Sequence, residues 1–173
     1  GRLDIMVNNA GVALFGEYEE LTLDDWDRTI DVNLRGVAHG SAIAYRQMVA
    51  QGGGHIVNTA SVAGLVPVPL QVHYCATKHA IEATSDALRH EVRPFGVDVS
   101  LIQPGMVKTD LGQTAIERRA GDDDGPYSDY MAGVVEAALT YQEGPMARLA
   151  CEPQDVAETI RKAIEDDRPR ARY

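Results

Sequence analysis

Long hydrophobic runs are missing from this sequence: no apolar stretch approaches the roughly 18 residues that a membrane-spanning helix needs. Basic charge is scarce, with 16 Lys and Arg against 26 Asp and Glu and a formal net charge of −10. A field of that sign repels phosphate backbones and anionic lipid, so neither a nucleic-acid partner nor a membrane partner is expected. Cysteine is scarce too. Cys75 and Cys151 stand far apart and form no CxxC pair, which argues against a disulfide framework or a zinc site and makes a reducing cytoplasm the expected compartment. The histidines, His39, His55, His73, His79 and His90, form no HExxH pattern, and no metal is expected. Also lacking is a glycine-rich turn that leaves a strand and opens a helix. The glycines at 52–54 lead from a helix into a strand and read as a helix stop, not a phosphate cradle.

What is present is ordinary globular material. With 45% hydrophobic and 24% charged residues over 173 positions, the chain can bury a sizeable core, and it reads as one domain over 1–173 without repeat or linker. Three short segments rich in β-branched residues end abruptly in polar or Pro/Gly turns: DIMVNNAG (4–11), HIVNTAS (55–61) and VDVSLIQPG (97–105). Such runs read as buried parallel strands.

Between the first two, Thr22 with Asp25 has the form of a capping box, and Trp26, Ile30, Asn33, Val37, Gly40, Ala44 and Met48 fall on one helical face. Between the second and third, a helix carries Tyr74, Lys78, Ile81, Ser85, Leu88 and Val92 inward and stops at Pro94 and Gly96. Strand, helix, strand, helix, strand predicts an α/β fold with a doubly wound parallel sheet. Further on, a charged helix and an Asp-rich turn occupy 109–133, and another helix follows. A last one opens at Pro153, with Val156, Ile160, Ala163 and Ile164 on its apolar face.

In open α/β sheets ligands bind beyond the carboxyl ends of the strands. All three predicted strands end in unusual chemistry: Asn8, Asn9 and Gly11, then Ser61, then Pro104 and Gly105. Lys78 lies on an apolar helix line one turn from Tyr74, where an ammonium must either reach solvent or face a wet cleft. Facing the cleft, its charge would favour the phenolate and lower the pKa of Tyr74, making it a general acid or base. Ser61 can offer a hydroxyl to the same oxygen. Asn33, an amide among apolar neighbours, reads as a structural hydrogen-bonder, an anchor for a water, or both.

Taken in order, NNAG (8–11), VNLRG (32–36), Ser61 after HIVNTAS, YCATK (74–78) and PGMVKT (104–109) resemble the motifs of the short-chain dehydrogenase/reductase family. The resemblance implies a Rossmann-like fold and hydride transfer between NAD or NADP and an alcohol or carbonyl carbon. It makes Tyr74 the acid/base, Ser61 the stabiliser of the substrate oxygen, and Lys78 the partner of Tyr74 and of the nicotinamide ribose. Asn33 would position a water in the proton relay. It places Asn9, Ala10 and Gly11 along the adenosine side, and Val107 and Thr109, after Pro104 and Gly105, against the carboxamide. It also implies a homo-oligomer, dimer or tetramer, for which Ala38, Ala42 and Tyr45 are compatible interface positions.

The phosphate-binding strand, turn and helix with which such proteins open do not precede Gly1, so the sequence reads as the later part of a longer chain, and the choice between NAD and NADP is open. The first strand would then be an exposed hydrophobic edge. The apolar residues 65–72, with Met106 and Leu111, point either to a hydrophobic alcohol or ketone substrate or to core packing. Residues 113–130 read as a substrate lid or as a solvated acidic turn. Two other function classes compete. A serine hydrolase would use Ser61 with Lys78, but ASVAG is not a G-x-S-x-G elbow. A non-catalytic nucleotide-binding or interaction module fits the missing phosphate loop.

Overall fold

A computed structural model describes residues 1–120, 125–140 and 150–173. Three parallel strands, β1 (Ile5–Asn8), β2 (Gly54–Thr59) and β3 (Val97–Ile102), lie side by side in the order β1-β2-β3. The register pairs Val7 with Val57 and Val57 with Ser100, so each strand's carboxyl end reaches the same edge.

The first crossover begins with α1 (Leu23–Ile30). Thr22 caps it: the hydroxyl accepts from the Asp25 amide at 3.2 Å, and the Asp25 carboxylate accepts from the Thr22 amide at 3.0 Å. The sequence pattern implies one continuous helix to residue 51, but the chain takes a π-helical turn at Asp31–Arg35 before resuming as α2 (Gly36–Gln51). Asn33 is the buried residue of that turn. Gly52 then stops α2 in the left-handed region, at φ 79°, where a side chain would be strained.

The second crossover is α3 (Val72–Val92), with Tyr74, Lys78, Ile81, Ser85 and Val92 buried as their spacing requires. The helix begins at Val72, so Lys78 sits in its second turn. A tight turn at Arg93–Phe95 and Gly96 at φ 72° close it.

Both crossover helices lie on one face of the sheet. Ala44 and Met48 from α2 and Val92 from α3 pack on Ile56, Val97 and Val99, and Val37 and Ile81 pack on Leu101. Met48, Ile56 and Ile81 are fully buried, each worth roughly 2 kcal/mol in area removed from water. On the opposite face, α6 (Pro153–Glu165) lays Val156, Ile160, Ala163 and Ile164 against Val57 and Ile102. In sequence, α4 (Asp110–Glu117) and α5 (Ser128–Thr140) come between β3 and α6.

The prediction of buried strands holds for β2 and β3. β1 is the exposed edge expected of the first strand, with Ile5 and Val7 left 40% and 38% exposed while α6 shields its neighbours. The last residues form an element the sequence did not announce. Tyr173 donates to the Leu101 carbonyl at 2.9 Å and Leu101 to the Ala171 carbonyl at 3.0 Å, so the tail runs parallel to the free side of β3. Arg172 secures it by ion pairs to Glu82 and Asp86 of α3. Among the described residues no helix is long and apolar enough to cross a membrane. Part of the 113–130 lid reading, residues 121–124, lies outside the described residues.

Candidate active site

The strand ends assemble a cleft from the bottom up. β2 delivers Thr59, Ala60 and Ser61 to the sheet edge. There the Ser61 hydroxyl caps a short turn, Val62–Gly64, by accepting from the Ala63 amide at 3.1 Å. The loop after β3 is tied to the same turn, since the Val62 amide donates to the Pro104 carbonyl at 3.0 Å. Helix α3 then brings Tyr74 and Lys78 up to this edge.

Tyr74, Ser61 and Lys78 lie together there. Ser61 lies close enough to Tyr74 to lower the pKa of its phenol, and all three residues are buried. The Lys78 ammonium lies 5.5 Å from the centre of the Tyr74 ring and donates to the Thr59 carbonyl at 2.8 Å. It is 3% exposed, and among the described residues that carbonyl is its one hydrogen-bond partner. Burial alone pulls Lys78 down to about 8. Two ammonium protons inside a desolvated site call for acceptors that the described protein atoms do not supply.

The electrostatic expectation for Tyr74 needs correcting. Its pKa is raised from the ordinary tyrosine value, first by burial; the nearby Ser61 side chain lowers it, and neighbouring Cys75 raises it. Lys78 does not reverse this. Its Nζ lies over the ring face and turns to the Thr59 carbonyl, away from a direct bond to the phenol oxygen. Loss of water around the phenolate therefore wins.

Asn33 is held in the interior by three bonds. Its Oδ1 accepts from the Val12 amide at 2.8 Å, and its Nδ2 donates to the Val12 carbonyl at 2.9 Å and to Thr77 Oγ1 at 3.2 Å. The side chain thus clamps the loop after β1 to α3, which is the structural alternative read from the sequence. Gly11 lies over the same spot: a Cβ there would sit 3.6 Å from Asn33 Oδ1 and 3.8 Å from Lys78 Nζ.

Asn9, Ala10 and Gly11 line the open mouth as exposed backbone, with Asn9 Oδ1 accepting from the Thr59 hydroxyl at 3.0 Å. Gly105 is exposed beside Val62. Val107 pairs with Cys151, and Thr109 caps α4 through its hydroxyl. Two supporting residues escaped the sequence reading: Thr59 and Thr77. Thr77 had a readable signal, a hydroxyl four positions after His73 on the buried face of α3. Thr59 acts through its carbonyl, which no side-chain pattern reveals. No group of three or more His, Cys, Asp or Glu that could hold a metal occurs among the described residues.

Of the apolar segment 65–72, Leu65 and Val66 are 53% and 62% exposed, and Val68 and Val72 are also exposed. They do not pack into the core, which removes that alternative for these four residues. Leu70 differs, packing with Phe15, Ala115 and Ile116.

Residues 1–120 match the family model described as short chain dehydrogenase. The chain belongs to this family. Like other short-chain dehydrogenases it has a parallel sheet layered with helices in a Rossmann-like α/β fold. Over 122 residues, 70% of the chain, it is 39% identical to an NAD-dependent glycerol dehydrogenase of Listeria innocua, covering 48% of that protein. Over the same length it is 43% identical to a D-threitol dehydrogenase of Mycolicibacterium smegmatis, covering 47% of it. It also superposes on a serine dehydrogenase in a closed form complexed with NADP+, with a TM-score of 0.81 and 28% identity over 99% of this chain and 63% of that one. The chain spans about half the length of the curated relatives it matches.

Proposed function

We propose that the protein is an NAD- or NADP-dependent oxidoreductase that interconverts an alcohol and a carbonyl compound, with Tyr74 exchanging the proton. The observation that carries this reading is the buried grouping of Ser61, Tyr74 and Lys78 at the strand ends, with a desolvated ammonium short of acceptors. A dinucleotide's ribose hydroxyls are acceptors of the needed kind, and Lys78, Gly11, Asn9, Ala10, Pro104, Gly105, Val107 and Thr109 would hold the cofactor. When bound, the nicotinamide supplies or accepts the hydride.

The chain's own residues handle everything else. Ser61 donates a hydrogen bond to the substrate oxygen and stabilises charge that develops on it. In carbonyl reduction Tyr74 gives its phenolic proton to that oxygen; in alcohol oxidation it takes the proton back. A phenol held neutral by burial is ready to donate, which favours its acid role near neutral pH. Once cofactor and substrate share the cleft, Lys78, over the face of the ring, favours the phenolate that proton donation leaves. Asn33 keeps the loop of Val12 closed against α3, and so fixes the cofactor-side wall.

The exposed apolar residues 65–68 beside Ser61 favour a substrate whose carbinol or carbonyl carbon carries an apolar flank. A second reading, a small polyol, is favoured by the names of the glycerol and threitol dehydrogenases. The test is steady-state turnover with NADH and NADPH against aryl ketones and dihydroxyacetone, for the protein and for Tyr74→Phe. The substitution should lower turnover by about 10²–10⁴-fold while leaving nicotinamide fluorescence titrations little changed. Undiminished turnover would remove Tyr74 from the chemistry. Homo-oligomer formation and a cytoplasmic setting belong to the same reading, and a sedimentation measurement tests the first.

A further inference from the structure

The thiol of Cys75, which packs with Tyr74 and Ala63, is hydrogen-bonded to Val68 in the segment between Ser61 and Tyr74. The Val68 amide donates to Cys75 Sγ at 3.3 Å, and the Sγ–H donates back to the Val68 carbonyl at 3.7 Å. Among the described residues this is the one side chain hydrogen-bonded to residues 65–70. The segment needs such a tether. Leu65, Val66 and Val68 are exposed apolar side chains with little core contact to hold them.

Two backbone features frame the tether. Leu70 adopts φ 63°, a left-handed conformation costly for a branched side chain, while its carbonyl accepts from the Gly16 amide at 3.0 Å. At the other end the Val66 amide donates to the Val62 carbonyl at 2.9 Å. The bend between these anchors passes over Cys75, one residue after the acid/base. Strain at Leu70 would be released if the middle of the bend came free.

We propose that Cys75 is a positioning residue for substrate selection: its paired bonds to Val68 hold the apolar wall at 65–68 against the cleft, so that a substrate with an apolar flank is bound more tightly than a small polar one. The proposal rests on the oxidoreductase reading above and adds a residue that touches neither substrate nor cofactor. Cys75 is buried, so its part is played through the wall and not as a nucleophile.

The experiment compares the protein with Cys75→Ala, which removes both bonds, and Cys75→Ser, which keeps a donor and an acceptor at the same place. Reduction of acetophenone and of dihydroxyacetone is followed with whichever of NADH and NADPH is used, together with amide hydrogen exchange at residues 65–72. For Cys75→Ala the expected result is a KM for acetophenone raised roughly three- to tenfold with kcat held, an unchanged KM for dihydroxyacetone, and faster exchange at Val68. Cys75→Ser should restore both readouts most of the way. Equal changes for the two ketones, a fall in kcat alone, or failure of serine to rescue would overturn the selection role. Exchange at Val68 that is the same in all three proteins would overturn the tether itself. If the parent protein reduces neither ketone, the functional reading fails and the selection role with it, while the exchange readout still decides whether the thiol holds the segment.

Discussion

The Lys78 ammonium lies over the face of the Tyr74 ring, 5.5 Å from its centre, while its hydrogen bond goes to the Thr59 carbonyl at 2.8 Å. One buried cation thereby joins the end of β2 to Tyr74 on α3. The arrangement costs stability, since burial holds Lys78 at about 8.

The sign of that cost makes a prediction. A lysine whose pKa is lower folded than unfolded binds fewer protons in the native state, so the penalty is full below pH 8 and fades as pH rises towards 10.5. Urea denaturation of the protein and of Lys78→Met should show the protein gaining on the variant by on the order of 2 kcal/mol between pH 7.5 and 9.5. Lys78→Met should also lose most of its nicotinamide affinity. A pH-independent difference between the two would mean that Lys78 is better hydrated than its burial implies.

Ser61 lowers the Tyr74 pKa against the dominant effect of burial. Removing it in Ser61→Ala should therefore move the pH at which alcohol oxidation becomes fast to higher values. The loss in kcat/KM should be about 10²–10³-fold, as for an oxyanion-stabilising donor. A pH–rate profile between 6 and 10.5 reads both effects. An unmoved limb would detach Ser61 from the phenol.

His73 is fully buried, with no hydrogen-bond partner for either ring nitrogen among the described residues, and packs edge-on against Trp26 at 5.9 Å between ring centres. Burial lowers its pKa, and the charge of Asp25 raises it in part. The unfolded chain then takes up a proton that the native state resists, so stability falls as pH drops through the ordinary histidine range. His73→Phe keeps the ring edge and removes the proton site. It should be more stable than the parent by roughly 1–3 kcal/mol at pH 5.5, with a smaller margin at pH 8. Thermal melts at the two values test this. His55, also lowered by burial, should leave part of the acid sensitivity in place.

Gly40 faces Asn8 so closely that a Cβ would come 2.0 Å from Asn8 Oδ1. Asn8 cannot swing away freely: its Nδ2 donates to Asn58 Oδ1 at 2.8 Å and to Ser41 Oγ at 3.2 Å, and Asn58 donates onward to Ser85 at 2.9 Å. Gly40→Ala should cost about 2–3 kcal/mol in urea denaturation. Combining it with Asn8→Ala should cost less than the sum of the two single changes. Strict additivity would show that the helix shifts instead.

Much of this molecule is written in local pattern. The β-branched runs ending in Asn, Ser and Pro/Gly marked the three strands, the Thr22–Asp25 pair marked a helix start, and Gly52 and Gly96 marked the stops. Each works through its own backbone or a neighbour within a turn, so sequence alone was enough. The inward line of α3 was legible for the same reason, and it put Tyr74 and Lys78 on one face.

What sequence spacing does not carry is who lies opposite. Whether Tyr74 is raised or lowered depended on how completely α3 and the Ser61 turn exclude water, and burial decided it. Leu65 and Val66 could have been core or cleft until packing left them exposed. Arg172 fastens the tail beside β3 by reaching Glu82 and Asp86, residues far from it in sequence. The π-helical turn that seats Asn33 between Val12 and Thr77 has no local signature, because its bonds run to residues distant in sequence. Composition and periodicity determined the elements and the chemistry they carry. Desolvation and long-range hydrogen bonds, which exist only once the chain has closed on itself, decided how that chemistry is poised.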